Sequence, residues 1–308
     1  MAGTGVSTPH PVLGKPLIRF GKRILERTAP GTAPGEYRIL GINPLTPHIG
    51  AEITGVDLSQ PIGADLADEL RRALLEWKVI FFRDQRDFGP EDHAALAGLW
   101  GEPEANPFFP KGDRAGVSRL AKDAMAVGNE NIWHSDHSFM AAPALGSVLR
   151  AVEIPASGGD TLWADMGAAY DNLSEATKQR IEGLTAEHDW VPTWGATMTE
   201  DQIAALRQTL PVVEHPVVVR HPVTGRRLLY VNEPFTTRIV GLDDEESREL
   251  LHELVLQARI PEYQVRFRWQ PDSVAIWDNI AVQHYAVNDY YPQRRVMERI
   301  AIAGVPLS

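Results

Sequence analysis

The chain has 308 residues, 44% of them hydrophobic and 23% charged, which is enough to bury a full core in one large domain or two small ones and excludes disordered and fibrous classes. Its 30 basic and 41 acidic side chains give a formal net charge of −11, which argues against nucleic acid or an anionic membrane as a partner. With no cysteine, disulfides, thiolate zinc sites, iron–sulfur clusters and cysteine nucleophiles are excluded, so the chemistry must use nitrogen and oxygen donors.

Residues 1–40 read as a flexible N-terminal arm. Met1 to Pro16 is rich in Gly, Pro, Ser and Thr, and Ala29 to Gly35 repeats an Ala-Pro-Gly phrase suited to a linker. Between them the basic, partly amphipathic stretch Lys15 to Arg27 suits packing on the body or on a neighbouring subunit, and it lacks the apolar segment of a secretory signal. The longest apolar runs, such as Val217 to Val219 between Pro216 and Arg220, fall far short of a bilayer span, so a soluble, cytoplasmic protein is expected.

Residues 41–308 read as a single domain of mixed α/β character with a mainly β core. Leu66, Leu70 and Leu74 predict a helix over Ala64 to Trp77, followed directly by an apolar strand at Val79 to Phe82 and a short helix at Pro90 to Leu99. Strands are predicted at Ala144 to Glu153, Val217 to Arg220, Arg227 to Val231, Val265 to Trp269, Val274 to Trp277 and Val296 to Ile302. His221 to Gly225 reads as a hairpin connection. Helices return at Ser174 to Gly183, Glu200 to Gln208 and Asp243 to Arg259, the last opening on an acidic first turn that suits the helix dipole. Short strands with grouped helices favour a barrel or sandwich over a doubly wound sheet, and neither a GxGxxG nor a P-loop is present.

The most informative stretch is Asn131-Ile-Trp-His134-Ser-Asp136-His137. On a strand, residues two apart point to the same face, so His134 and Asp136 could hold one ion together. One further histidine from a distant strand would complete two imidazoles and a carboxylate on one face of a metal, the facial arrangement of non-haem Fe(II) oxygenases. Trp277 to Arg299 offers His284, and downstream of it Arg295, Met297 and Arg299 share one strand face. Two arginines inside an apolar barrel cost several kcal/mol, in rough terms, unless each meets an anion; the other possibility is a solvent-facing edge strand.

In these residues, together with Gly50 to Leu58, Gly158-Gly-Asp-Thr-Leu-Trp163 and Val231 to Ile239, the sequence resembles the taurine dioxygenase family of Fe(II)- and 2-oxoglutarate-dependent oxygenases from about Ile42 to Pro306. The resemblance implies a double-stranded β-helix, or jelly roll, with helical insertions, forming one catalytic domain over 41–308. It also implies that His134, Asp136 and His284 bind Fe(II), while Arg295, eleven residues after His284, clasps the distal carboxylate of the cosubstrate 2-oxoglutarate with help from Thr161. With O2 as second cosubstrate, 2-oxoglutarate would be decarboxylated to succinate and CO2 while the substrate is hydroxylated or otherwise oxidised. Because Asp136 is present, halogenation is not expected.

By the same resemblance, Arg299 grips a sulfonate, sulfate or carboxylate of a small anionic organic substrate; its alternative role is to pair with Glu298 or another acid. The taurine-contacting positions diverge, with Asn106 in place of a histidine, Phe109 of a tyrosine and Glu130 of an asparagine. With Trp194 and Phe235 as pocket walls, a substrate larger and more apolar than taurine is expected, an alkyl sulfate or sulfonate or a carboxylated natural product. The segment Ala186 to Leu210 is a candidate lid, and a homo-oligomer, dimer or tetramer, is implied. Two rivals remain open: a zinc hydrolase, although Ile132 stands where its motif needs a histidine, and a jelly-roll binding module without turnover.

Overall fold

The last predicted strand organises the fold. In the computed structural model, which describes residues 23–27, 37–104, 106, 108, 116–126 and 130–307, the strand Arg295–Ile302 is buried along all eight of its residues. It pairs antiparallel with Gly146–Glu153 on one edge and with Val117–Lys122 and then Pro103–Glu104 on the other. An edge strand with solvent-facing arginines is thereby excluded.

The large sheet has eight strands and continues from Gly146–Glu153 through Val274–Asp278 and Val79–Phe82 to Ala51–Thr54 and Gly41–Pro44. Val79–Phe82 is entirely apolar because both of its faces are covered. A second sheet of three strands, in the order Gln264–Phe267, Thr161–Asp165, Val282–Ala286, packs against the first. The layer between them holds Phe81, Trp163, Phe267, Trp277, Leu149 and Met297. Phe81 and Phe267 stack with centroids 4.1 Å apart and planes 6° apart, a contact worth about 0.5–1.5 kcal/mol beyond the area it buries.

The opposite face of the large sheet is covered by the helix Ala64–Trp77, whose Leu70, Ala73, Leu74 and Trp77 meet Ile80, Phe82, Val148, Ile276, Ile300 and Ile302. Strand alternation therefore sends Ile300 and Ile302 to the helix and leaves Arg295, Met297 and Arg299 facing the other sheet. The jelly-roll architecture expected from the sequence is what the chain adopts, with two open, packed sheets and helices on the outside.

The predicted helices are found at Ala64–Trp77, Pro90–Ala97, Glu175–Ile181, Glu200–Arg207 and Asp244–Val255, and the hairpin joins Val218–Arg220 to Arg227–Leu229. The segment proposed as a lid is not a plain loop. It contains the strand Thr185–His188, the helical turn Val191–Trp194 and the helix Glu200–Arg207, and Trp190 is a core residue whose Nε1 donates to the Leu210 carbonyl at 2.8 Å.

Residues 23–27 of the basic stretch lie against the body. Ile24 exchanges two hydrogen bonds with the Asn172 side chain, and Arg27 pairs with Glu76 at 3.2 Å. The Glu26 carbonyl accepts from Lys78 Nζ at 3.3 Å and from Arg226 Nη1 at 3.2 Å. Among the described residues, no helix is long and apolar enough to cross a membrane.

Candidate metal centre

His134, Asp136 and His284 come together, with one potential ligand atom from each lying within 4.8 Å of the others. His284 comes from the strand Val282–Ala286, where its backbone pairs with Trp163. His134 exchanges backbone hydrogen bonds of 3.1 and 2.8 Å with His284 across an isolated antiparallel bridge, which brings their rings to 4.1 Å.

Contrary to the expectation from their spacing, His134 and Asp136 do not lie on one strand. Asp136 begins a turn in which His137 takes a φ of +57°. The cause is Asn279, whose Oδ1 accepts from the Asp136 N–H and whose Nδ2 donates to the Asp136 carbonyl, both at 2.8 Å. One buried amide thus satisfies both backbone groups of the ligand residue and bends the chain out of the ladder.

These residues fit a divalent ion. His134 Nδ1 lies 2.8 Å from the Ile132 carbonyl, so it carries the proton and leaves Nε2 as the lone-pair donor. Both Nε2 atoms lie 3.9 Å from Asp136 oxygens. Burial alone would raise the Asp136 pKa, but the Arg299 guanidinium, then His284 and His134, hold it well below the usual carboxylate range. Burial pushes His284 well below the usual imidazole range, so its neutral, metal-binding form prevails. Ser147 Oγ donates to Asp136 Oδ2 at 3.0 Å. Two imidazoles and one ionised carboxylate suit Fe(II) or a similar ion.

Both arginines border the same cavity as the three ligands. Arg295 Nε donates to the Gly159 carbonyl at 3.1 Å, leaving the two terminal nitrogens of its fork for a ligand. Gly159 has φ +71°, and a Cβ there would lie 3.0 Å from Arg295 Cδ, so glycine is what lets the guanidinium lie flat on the turn. Thr161 lines the cavity and its Oγ1 accepts from Trp269 Nε1 at 2.9 Å, which frees its hydroxyl hydrogen to donate. Arg299 Nη1 rests on Asp136 Oδ1, so the acid it pairs with is a metal ligand and not Glu298, which instead meets Arg119 and Arg150.

Asn106, Glu130, Trp194 and Phe235 also line the cavity, and Phe109 lies outside the described residues. Glu130 is paired with Lys122 at 2.8 Å. Trp194, Phe235, Phe139 and Phe108 form an aromatic cluster in which Phe108 stacks on Trp194 at 4.3 Å. Sequence reasoning missed Lys122, which lies directly across the ladder from Arg295 and so points to the same side. It missed Asn279 and Ser147 as well. A lysine or serine on an undetected pairing carries no local signal, although the Asp-Asn after Trp277 is a turn phrase that marked the chain reversal.

The family described as Taurine catabolism dioxygenase TauD, TfdA family matches residues 41–301. An alkylsulfatase of Acinetobacter baylyi is 38% identical over 273 residues, covering 86% of this chain and 85% of the relative. An alpha-ketoglutarate-dependent sulfate ester dioxygenase of Pseudomonas putida is 39% identical over 290 residues, covering 91% and 94%. Among solved structures, a taurine dioxygenase from Burkholderia xenovorans superposes with a TM-score of 0.74 at 36% identity, covering 86% of this chain and 90% of that one. With the site's geometry and these matches in agreement, the chain belongs to the TauD, TfdA dioxygenase family.

Proposed function

We propose that the protein is an Fe(II)- and 2-oxoglutarate-dependent dioxygenase that uses O2 to oxidise a small organic anion, larger and more apolar than taurine, with release of succinate and CO2. The observation that carries this reading is the convergence of His134, Asp136 and His284 beside a cavity that two buried arginines from one strand face also border. The iron, when bound with 2-oxoglutarate and O2, supplies the oxidising chemistry.

The chain's own residues supply binding and orientation. Arg295 offers a planar fork to the distal carboxylate of 2-oxoglutarate, and Thr161 donates its hydroxyl to the same group. Arg299 takes the anionic group of the substrate, while Trp194, Phe235 and Phe139 exclude water around its apolar body. Asn106 and Glu130 complete the polar lining, and Phe109 is proposed as a further wall. The relatives named for sulfate esters and alkyl sulfates support a sulfate ester, in which case hydroxylation of the carbon that bears the ester oxygen is followed by cleavage of that C–O bond to an aldehyde and sulfate. A carboxylated natural product is the second reading, because a guanidinium fork suits a carboxylate equally.

Residues 41–308 are proposed as one catalytic domain, supported by the span of the family match. A cytoplasmic homo-oligomer, dimer or tetramer, is proposed from the family resemblance, with light scattering and cell fractionation as its measurements. For the activity, the protein is loaded anaerobically with Fe(II) and 2-oxoglutarate and then given air with hexyl sulfate, octanesulfonate, a phenylalkanoate or taurine. Succinate should form with an apolar anion faster than with taurine. Tight metal binding with no succinate from any of them would favour a binding module, and hydrolysis without oxygen consumption a zinc hydrolase.

A further inference from the structure

A chain of polar contacts runs from Glu104 through His137 to Asn106, the last two of which line the cavity. His137, directly after the metal ligand Asp136, is 1% exposed and has φ +57°, a conformation that a side-chain-bearing residue keeps only where its surroundings over-determine it. Its Nδ1 lies 2.7 Å from Glu104 Oε2, and its Nε2 lies 3.0 Å from Asn106 Nδ2. On the far side of the amide, Asn106 Oδ1 accepts from the Phe108 N–H at 2.8 Å.

A carboxylate accepts, so His137 Nδ1 donates to Glu104, and because the Phe108 N–H already donates to Asn106 Oδ1, the amide turns Nδ2–H to the ring and Nε2 accepts. Flipping the amide would set two acceptors against each other at His137 and two donors at Phe108, so its orientation is fixed twice over. One amino hydrogen is used on His137, and the second remains for the cavity that Asn106 lines. The same bond to Phe108 seats that ring on Trp194, with centroids 4.3 Å and planes 16° apart.

We propose that Glu104 and His137 are positioning residues that lock Asn106, so that it presents one N–H to the substrate's anionic group together with Arg299 and holds Phe108 as the apolar wall. This rests on the anionic-substrate reading above. It makes Asn106 a specificity determinant whose direction is set by Glu104 and His137.

The test uses the full chain loaded anaerobically with Fe(II) and 2-oxoglutarate, with hexyl sulfate as the probe, its binding read from the perturbed visible absorption of the complex. Glu104→Ala and Asn106→Ala should each weaken hexyl sulfate about tenfold or more while leaving the Fe(II) and 2-oxoglutarate titrations unchanged, and Glu104→Gln, which still accepts from Nδ1, should restore wild-type binding. In turnover the loss should fall on KM more than on kcat. Unchanged probe binding in Glu104→Ala, or equal loss of metal binding, would overturn the proposal. If the wild type binds no hexyl sulfate, the reading of the substrate fails separately. The relay is then decided by 15N NMR of the histidines in the metal-free protein: an Nδ1–H tautomer lost in Glu104→Ala supports it, and one absent from the wild type overturns it.

Discussion

Arg299 Nη1 rests on the carboxylate of Asp136, so the residue proposed to take the substrate's anion is also the partner of a metal ligand. Both are about 5% exposed or less, and the guanidinium is the main cation holding that carboxylate ionised. On that proposal, one side chain couples binding of the metal to binding of the substrate anion. Arg299→Ala should weaken hexyl sulfate tenfold or more and leave the 2-oxoglutarate titration intact; equal loss of both would mean that the two arginines have been assigned the wrong way round. The metal-free variant should also lose stability, by about 3–5 kcal/mol for a broken buried pair, measurable as a lower urea midpoint.

Gly159 tests the other arginine. A methyl group at a position with φ +71°, 3.0 Å from Arg295 Cδ, forces the guanidinium away from the turn. Gly159→Ala should raise the Kd for 2-oxoglutarate by about tenfold while Fe(II) binding, measured by calorimetry under argon, stays as in wild type. Arg295→Lys should fail to restore full affinity, since an ammonium cannot reproduce the fork.

Metal should stabilise the folded chain by mass action. Adding Mn(II) at about a hundredfold over its Kd should contribute about 2.7 kcal/mol, seen as a rise in Tm. Asp136→Ala should remove that rise. If the rise persisted in Asp136→Ala, the ion would be binding somewhere else.

Lys78 and Asp165 form a buried ion pair at 3.2 Å, at a point where Lys78 leaves the helix Ala64–Trp77 with φ +65°. Lys78 Nζ also donates to the His48 carbonyl at 2.8 Å and to that of Glu26. Lys78→Ala leaves the Asp165 charge with one fewer partner and should cost about 3–5 kcal/mol in urea denaturation. Limited proteolysis should then cut faster near residues 23–27.

Acid should destabilise the protein through histidines buried in the neutral form. Burial lowers His93 to about 4 and His48 to about 4. Between that value and the unfolded value near 6.5 the unfolded chain binds more protons, so stability falls as pH drops through this window. His93 alone contributes up to about 3 kcal/mol at the bottom of it. Its Nε2 also bonds to the Val148 carbonyl at 3.0 Å, so His93→Gln should flatten the pH dependence while keeping that contact. His221, raised by Asp278, acts in the opposite sense, losing its contribution as pH rises through its folded pKa.

The sequence by itself determined the chemistry available and most of the regular elements. Helices such as Ala64–Trp77 and strands such as Val274–Asp278 are legible because burial of one face, or of both, writes a period or an apolar run into the residues. The family resemblance singled out His134, Asp136, His284, Arg295 and Arg299, and period two alone puts the two arginines on one strand face. Tertiary structure decided what depends on pairing between distant segments. The strands Val117–Lys122 and Val282–Ala286 have mixed composition and became strands only through their partners, which is why Lys122 facing Arg295 went unseen. The turn at Asp136 was likewise decided by the amide of Asn279, far along the chain, and the pairing of Arg299 with a metal ligand by the register of three strands. Hydrogen bonds between residues so far apart leave no periodic trace, because each needs only one polar side chain delivered to the right place by the packing of everything else.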